Sequence, residues 1–164
     1  MQTNRIRLAL GAITLSAAGL VGILNFEGYS HIAVPPVPGD VPTYGFGTTT
    51  HEDGSPLKTG EKITPSKAVE RALQDVQKFE GALKRCVNVP LHQYEYDAFI
   101  SLAYNIGSAA FCKSTLVKKL NAQDYSGACL EILKWDRFKG KKLHGLTIRR
   151  QKEYQLCMSG TAGK

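Results

Sequence analysis

Polar positions vanish from one stretch near the start of the chain. From Leu8 to Leu24 no charged residue interrupts 17 positions, and Arg5 and Arg7 stand just ahead of them. Basic residues before an apolar run hold that end in the cytoplasm, so the pattern predicts a segment that enters a membrane. The run falls a little short of the ~20 residues that a spanning helix needs. It is also diluted by Gly11, Gly19, Gly22, four alanines, Thr14 and Ser16. Two readings compete: a cleaved signal peptide, for which Ser16-Ala17-Ala18 supplies small residues, and an uncleaved anchor with a marginal hold. Cleavage after Ala18 would leave only eight residues before Glu27, a thin lead-in for a helix that presents a carboxyl group, and this favours the anchor. The chain therefore divides into a membrane segment, 1–26, and a domain, 27–164.

Beyond the leader the periodicity changes. Short apolar-polar alternation around Tyr44-Gly45-Phe46-Gly47, with turn signals at Asp53-Gly54 and Gly60, predicts a two- or three-stranded antiparallel sheet within Val41–Ile63. Thr64-Pro65 starts a helix, Thr as cap and Pro at the first helical position. Its apolar face is formed by Val69, Ala72, Leu73, Val76, Phe79 and Leu83, and Pro90 breaks the pattern. His92 to Ile106 is apolar around most of its circumference, as a central buried helix requires, and Gly107 suits its C-terminal cap. Further helices are predicted near 112–122, 124–136 and 146–157, with Lys139-Gly140-Lys141-Lys142 as an exposed basic connection. The fold class is α+β: a small antiparallel β region and a predominantly helical lobe, with a cleft between them for an extended substrate.

At 164 residues the chain fits one domain plus a leader. Its net charge of +7 is concentrated in the second half, where Lys113 onward holds 12 Lys/Arg against 4 Asp/Glu. That asymmetry points to a polyanionic partner such as a bacterial wall polymer or anionic lipid, or else to a solvated set of helix faces. No arginine-aromatic motif supports nucleic acid. Cys86, Cys112, Cys129 and Cys157 lack C-x-x-C spacing, which argues against a zinc ribbon or redox motif. Four cysteines behind an export-type leader read as two disulfides. Three pairings are open, and Cys86–Cys112 with Cys129–Cys157 joins segments expected to pack as neighbours.

The candidate chemistry begins at Glu27. Between Phe26 and Tyr29 on a helix end, a carboxyl meets the apolar surroundings that suit a general acid. Asp40 follows in Pro38-Gly39-Asp40-Val41-Pro42-Thr43, a rigid turn, and the Thr43 hydroxyl can hold a water. An acid, a base and a hydroxyl make a minimal set for inverting glycoside hydrolysis, although Glu27 could equally be a helix-end charge and Asp40 a turn residue. His31, His51, His92 and His144 show no H-E-x-x-H spacing, so neither a metal nor another cofactor is expected. Tyr44, Tyr104 and Asn105 are candidates for binding sugar. Core packing is the alternative for Tyr104, helix-end hydrogen bonding for Asn105, and Trp135 reads as core.

Phe26-Glu27-Gly28-Tyr29 followed by Val41-Pro42-Thr43-Tyr44-Gly45-Phe46-Gly47-Thr48 resembles the active-site segment of the phage-type lysozymes, glycoside hydrolase family 24. Ser101-Leu102-Ala103-Tyr104-Asn105-Ile106-Gly107 resembles that family's central helix. Ser114 to Asn121, and Gly145-Leu146 with Arg149, Arg150 and Glu153, resemble its later helices. With its weak leader the whole chain is similar to the signal-arrest-release endolysins. The resemblance implies a muramidase acting as a monomer on peptidoglycan, held at the host inner membrane through residues 8–24 and then released to the periplasm. A lytic transglycosylase and a wall amidase are the alternatives. One departure stands out: Pro36 and Val37 occupy the places around which the family sets its second carboxylate, and neither can act as a base. Asp40 is expected to reach the site from a rebuilt proline-rich loop.

Overall fold

The computed structural model describes residues 6–160, so Arg5 lies outside the described residues. Two compact units emerge: residues 6–20 with 79–160, and residues 21–78. The chain enters the first, passes into the second through helix α1 (Ala17–Glu27) and returns through helix α2 (Pro65–Cys86).

In the first unit, helix α3 (Gln93–Ile106) is the centre. Every residue from Glu95 to Ala103 is buried, the all-round burial that its apolar circumference predicts. The backbone N–H of His92 donates to Glu95 Oε2 at 2.9 Å, satisfying an orphan donor at the helix start. Gly107, at φ +89°, ends the helix and donates its N–H to Ala103 O; that backbone conformation strongly favours glycine. Helix α4 (Ser108–Lys113), helix α5 (Thr115–Asn121) and helix α6 (Tyr125–Ile132) follow, α5 capped by Ser114 and α6 by Asp124.

Helix α7 (His144–Cys157) packs on α3 around a buried charge cluster. Glu153 accepts from Ser101 Oγ at 2.6 Å and pairs with Arg149 at 3.0 Å and Arg150 at 2.9 Å. Burial pushes the Glu153 carboxyl up, against the pull of Arg150 and Arg149. Disulfides join Cys86 to Cys112 and Cys129 to Cys157, with Cα–Cα distances of 5.6 and 5.8 Å. The basic connection forms a small hairpin, strands β3 (Arg137–Phe138) and β4 (Lys141–Lys142). Trp135 is half-buried.

The leader differs most from its expected form. Only its second half is α-helical, and among the described residues no helix is long and apolar enough to cross a membrane. Leu8 and Leu91 exchange backbone hydrogen bonds at 2.8 and 2.9 Å, and Leu10–Ala12 forms one 3₁₀ turn. Polar groups then anchor the segment. Arg7 binds Glu95 at 2.7 and 3.1 Å and lies 3.5 Å from the Tyr125 ring centre. Leu15 N–H donates to Glu80 at 2.7 Å. Ser16 donates to Asp97 through its N–H at 3.0 Å and its hydroxyl at 2.5 Å. The same hydroxyl oxygen accepts from Gly19 N–H at 3.0 Å, which makes Ser16 the N-cap of α1. A Cβ at Gly19 would come within 2.8 Å of Asp97 Cγ, so this close approach requires glycine.

The second unit holds strands β1 (Ser30–Val34) and β2 (Thr43–Gly45), antiparallel, with Ser30 opposite Gly45, Val34 opposite Thr43 and an irregularity between. The first strand lies upstream of the stretch whose alternation predicts the sheet. The second falls within it, where bridges Tyr44–Thr48 and Thr50–Pro56 fold the remainder into tight turns. Ala33, Tyr44, Leu57, Ile63 and Ala68 form the core, with Phe46 packed against it. On α2 the buried stripe is Ala68, Ala72 and Val76, whereas Val69 and Leu73 are exposed. Small residues won that face because the backbone comes close: a Cβ at Gly45 would sit 3.0 Å from that of Ala68.

Candidate active site

Glu27 is the last residue of α1 and half-buried. Gly28, at φ +69°, ends the helix there and turns the chain into β1. The turn after β2 passes against the carboxylate. A Cβ at Gly47, where φ is +87°, would lie 3.4 Å from Glu27 Oε2, so glycine lets the main chain run close beside this acid. That turn is held by paired Tyr44 and Thr48 backbone bonds at 3.2 and 3.1 Å, and by the Thr48 hydroxyl donating to Asp75 at 3.1 Å. Tyr29 packs its ring 5.6 Å from that of Phe46 and donates its hydroxyl to Ile63 O at 2.7 Å. The residues flanking Glu27 are thus fixed in the second unit.

Thr43 and Asp40 lie in that unit as well, Thr43 at the start of β2 and Asp40 on the β1–β2 connection. Thr43 opens β2, and its hydroxyl lies 3.5 Å from Val34 O, too long to be a firm hydrogen bond. Asp40 is exposed in the loop 35–42, its N–H donating to Val37 O at 3.1 Å. Its carboxylate accepts from the Val41 N–H at 3.2 Å. The acid, the hydroxyl and the second carboxylate therefore rise from one short tract of chain: a helix end, a strand start and the loop before that strand.

The candidate sugar-binding residues separate. Tyr44 is in the core of the second unit, 8% exposed, because the pleat of β2 turns it away from the side of Thr43. Tyr104 and Asn105 belong to the first unit. Tyr104 is half-buried with its ring 5.1 Å from Phe79, and Asn105 is exposed at the end of α3. The histidines are dispersed: His31 contacts Ile63 O at 3.1 Å, His51 pairs with Glu61 at 3.0 Å and His92 stacks on Tyr94. Among the described residues no group of three His, Cys, Asp or Glu could hold a metal ion.

Sequence reasoning passed over Gly47 as a neighbour of Glu27, although Gly45-Phe46-Gly47 marks where a backbone can come close. It also passed over Glu80, Glu95 and Asp97, which receive the leader. Nothing in their spacing distinguishes them from surface acids, since their partners lie up to 88 residues away.

Comparison with known proteins follows the same lines. The phage lysozyme family model matches residues 24–153. An endolysin of Acyrthosiphon pisum secondary endosymbiont phage 1 is 41% identical, over 88% of this chain and 98% of its own. The SAR-endolysin of Escherichia phage Mu is 30% identical, over 93% and 91%. The solved endolysin from Escherichia coli O157:H7 phage FAHEc1 superposes with a TM-score of 0.81 at 37% identity, covering 94% of this chain and 99% of that one. The match begins before Glu27 and ends at Glu153, so it takes in both the carboxyl tract and the buried charge cluster: the chain belongs to the phage lysozyme family of peptidoglycan-lytic endolysins.

Proposed function

We propose that this protein is a muramidase that hydrolyses the β-1,4 bond between N-acetylmuramic acid and N-acetylglucosamine, and that it becomes active when its N-terminal segment leaves the host inner membrane. The observation that carries the reading is Glu27 at the end of α1, half-buried against a glycine turn and followed within one tract by Asp40 and Thr43. Glu27 donates its proton to the leaving glycosidic oxygen. Asp40 takes a proton from a water that Thr43 helps to place, and that water's oxygen bonds to the anomeric carbon as the old bond breaks. Tyr104 and Asn105 are proposed to contact the glycan.

Support for activation comes from the leader's bonding. Ser16, Leu15 and Arg7 are bound to Asp97, Glu80 and Glu95, bonds that the segment could make only outside lipid. Within a bilayer those partners are out of reach, α1 lacks its cap, and Glu27 at its far end is not placed. In this reading the segment 1–26 is the anchor, its residues 6–26 pack with the domain 27–164 after release, and the protein passes from inner membrane to periplasm as a monomer. Mass spectrometry of digested peptidoglycan tests the chemistry. Reducing N-acetylmuramic acid ends are expected; anhydro-muramyl ends would indicate a transglycosylase, and free stem peptides an amidase.

A further inference from the structure

The hairpin β3–β4 belongs to the first unit, whereas Glu27, Asp40 and Thr43 belong to the second, and its composition is peculiar. All nine residues from Arg137 to Gly145 are exposed. From Arg137 to Lys152 there are seven Lys/Arg and no acidic residue. Phe138 stands among them with 52% of its surface in water, followed by Leu143 at 43%. A single exposed apolar side chain is ordinary, but an aromatic at the end of a rigid cationic hairpin is the composition that lies in a lipid headgroup layer.

The hairpin is also built to hold its shape. Lys139 and Gly140 both have positive φ, +48° and +78°, which is the two-residue turn that matches strand twist. Arg137 donates to Gly140 O at 3.3 Å, and Lys142 pairs with Asp136 at 3.0 Å. Lys139 Nζ lies 5.4 Å from the Phe138 ring centre, so charge and apolar surface share one tip. We propose that this tip, Phe138 with Lys139 and Lys141, docks the protein onto an anionic lipid surface. The cations meet phosphate headgroups, and the phenyl ring enters the boundary with the acyl chains. A wall polymer would satisfy the cations as well, but it offers an exposed phenylalanine much less than lipid does. The inference does not depend on the muramidase reading, because its test measures binding and not hydrolysis.

The test is co-sedimentation of the full chain with vesicles of phosphatidylethanolamine and phosphatidylglycerol, beside vesicles of phosphatidylcholine alone. Wild type is expected to bind the anionic vesicles at least about tenfold more strongly, and to lose that preference in high salt. F138A should weaken anionic binding about tenfold with charge unchanged, and F138W should restore it. K139E/K141E should weaken it further than K58E/K62E, a control with the same change in net charge. All variants carry the same leader, so differences between them report the hairpin; circular dichroism confirms that each is folded. Equal losses in the hairpin and control pairs, no effect of F138A, or no preference for anionic vesicles would each overturn the proposal. Hairpin variants that lose binding to purified sacculi while keeping lipid binding would assign the tip to the wall.

Discussion

The leader, residues 6–20, and the loop 35–42 differ in what holds them to the protein. The leader looks like a membrane segment, yet it is held by Arg7–Glu95, Leu15–Glu80 and Ser16–Asp97, and its Ile13 is 1% exposed. The loop carries the proposed second carboxylate, yet it is mostly exposed and Asp40 accepts from its own neighbour. Hydrophobicity tells where a segment can go, whereas hydrogen-bond partners tell where it stays. In the proposed activation, a run of only moderate hydrophobicity whose capping groups find carboxylates in the folded domain has two workable environments. The loop needs only to be short and proline-stiffened, because the role proposed for Asp40 demands access.

The strongest way to break this comparison is at the end of the helix that the leader starts. Glu27→Gln should lower peptidoglycan turnover by more than about 100-fold with the melting temperature unchanged, measured by turbidity loss of purified walls. Asp40→Asn should lower it by about 10- to 100-fold if the loop supplies the base; wild-type turnover would remove Asp40 from the mechanism and leave Glu27 acting without it. Gly19→Val, which puts a side chain where Asp97 Cγ already stands, should destabilise the protein by about 1–3 kcal/mol in chemical denaturation. Wild-type stability in that variant would show that the contact is not tight.

The smallest effect is one of pH and lies away from both regions. The amines of Lys119 and Lys134, at 2.7 and 2.8 Å, hold the Glu131 carboxyl below the usual carboxylate range. A folded-state pKa that is depressed contributes stability above the unfolded value, and this is lost as pH falls through the folded one. Glu131→Gln should therefore flatten the acid limb of the stability curve, lowering stability at pH values above the usual carboxylate range and converging on wild type at the acid end, as thermal melts across the acid range would record.

Much of this was legible in the chain. Thr64-Pro65 marks the start of α2, the all-round apolar pattern marks α3 as central, and the cysteine placement suggests the pairs that the structure joins. Glu27, Asp40 and Thr43 share one tract, and it is the resemblance of that tract to the phage-type lysozymes that proposes them as chemistry. Other features were hidden. Tyr44 looks like a cleft residue, but strand alternation sends it to the core. Val69 and Leu73 look like core, but the close approach at Gly45 lets alanine win. Asp97 and Glu80 look like surface acids because the leader partners that distinguish them include backbone amides of Ser16 and Leu15, which every residue but proline owns and no pattern displays.

Hydrogen exchange of the α1 amides, measured beside wall turnover in Asp97→Ala, addresses the central claim, that docking of the leader places Glu27. The account predicts that protection along α1 and turnover fall together, turnover by about tenfold or more, as the helix loses the acceptor for Ser16. An α1 that loses its protection while turnover stays at the wild-type level would contradict it.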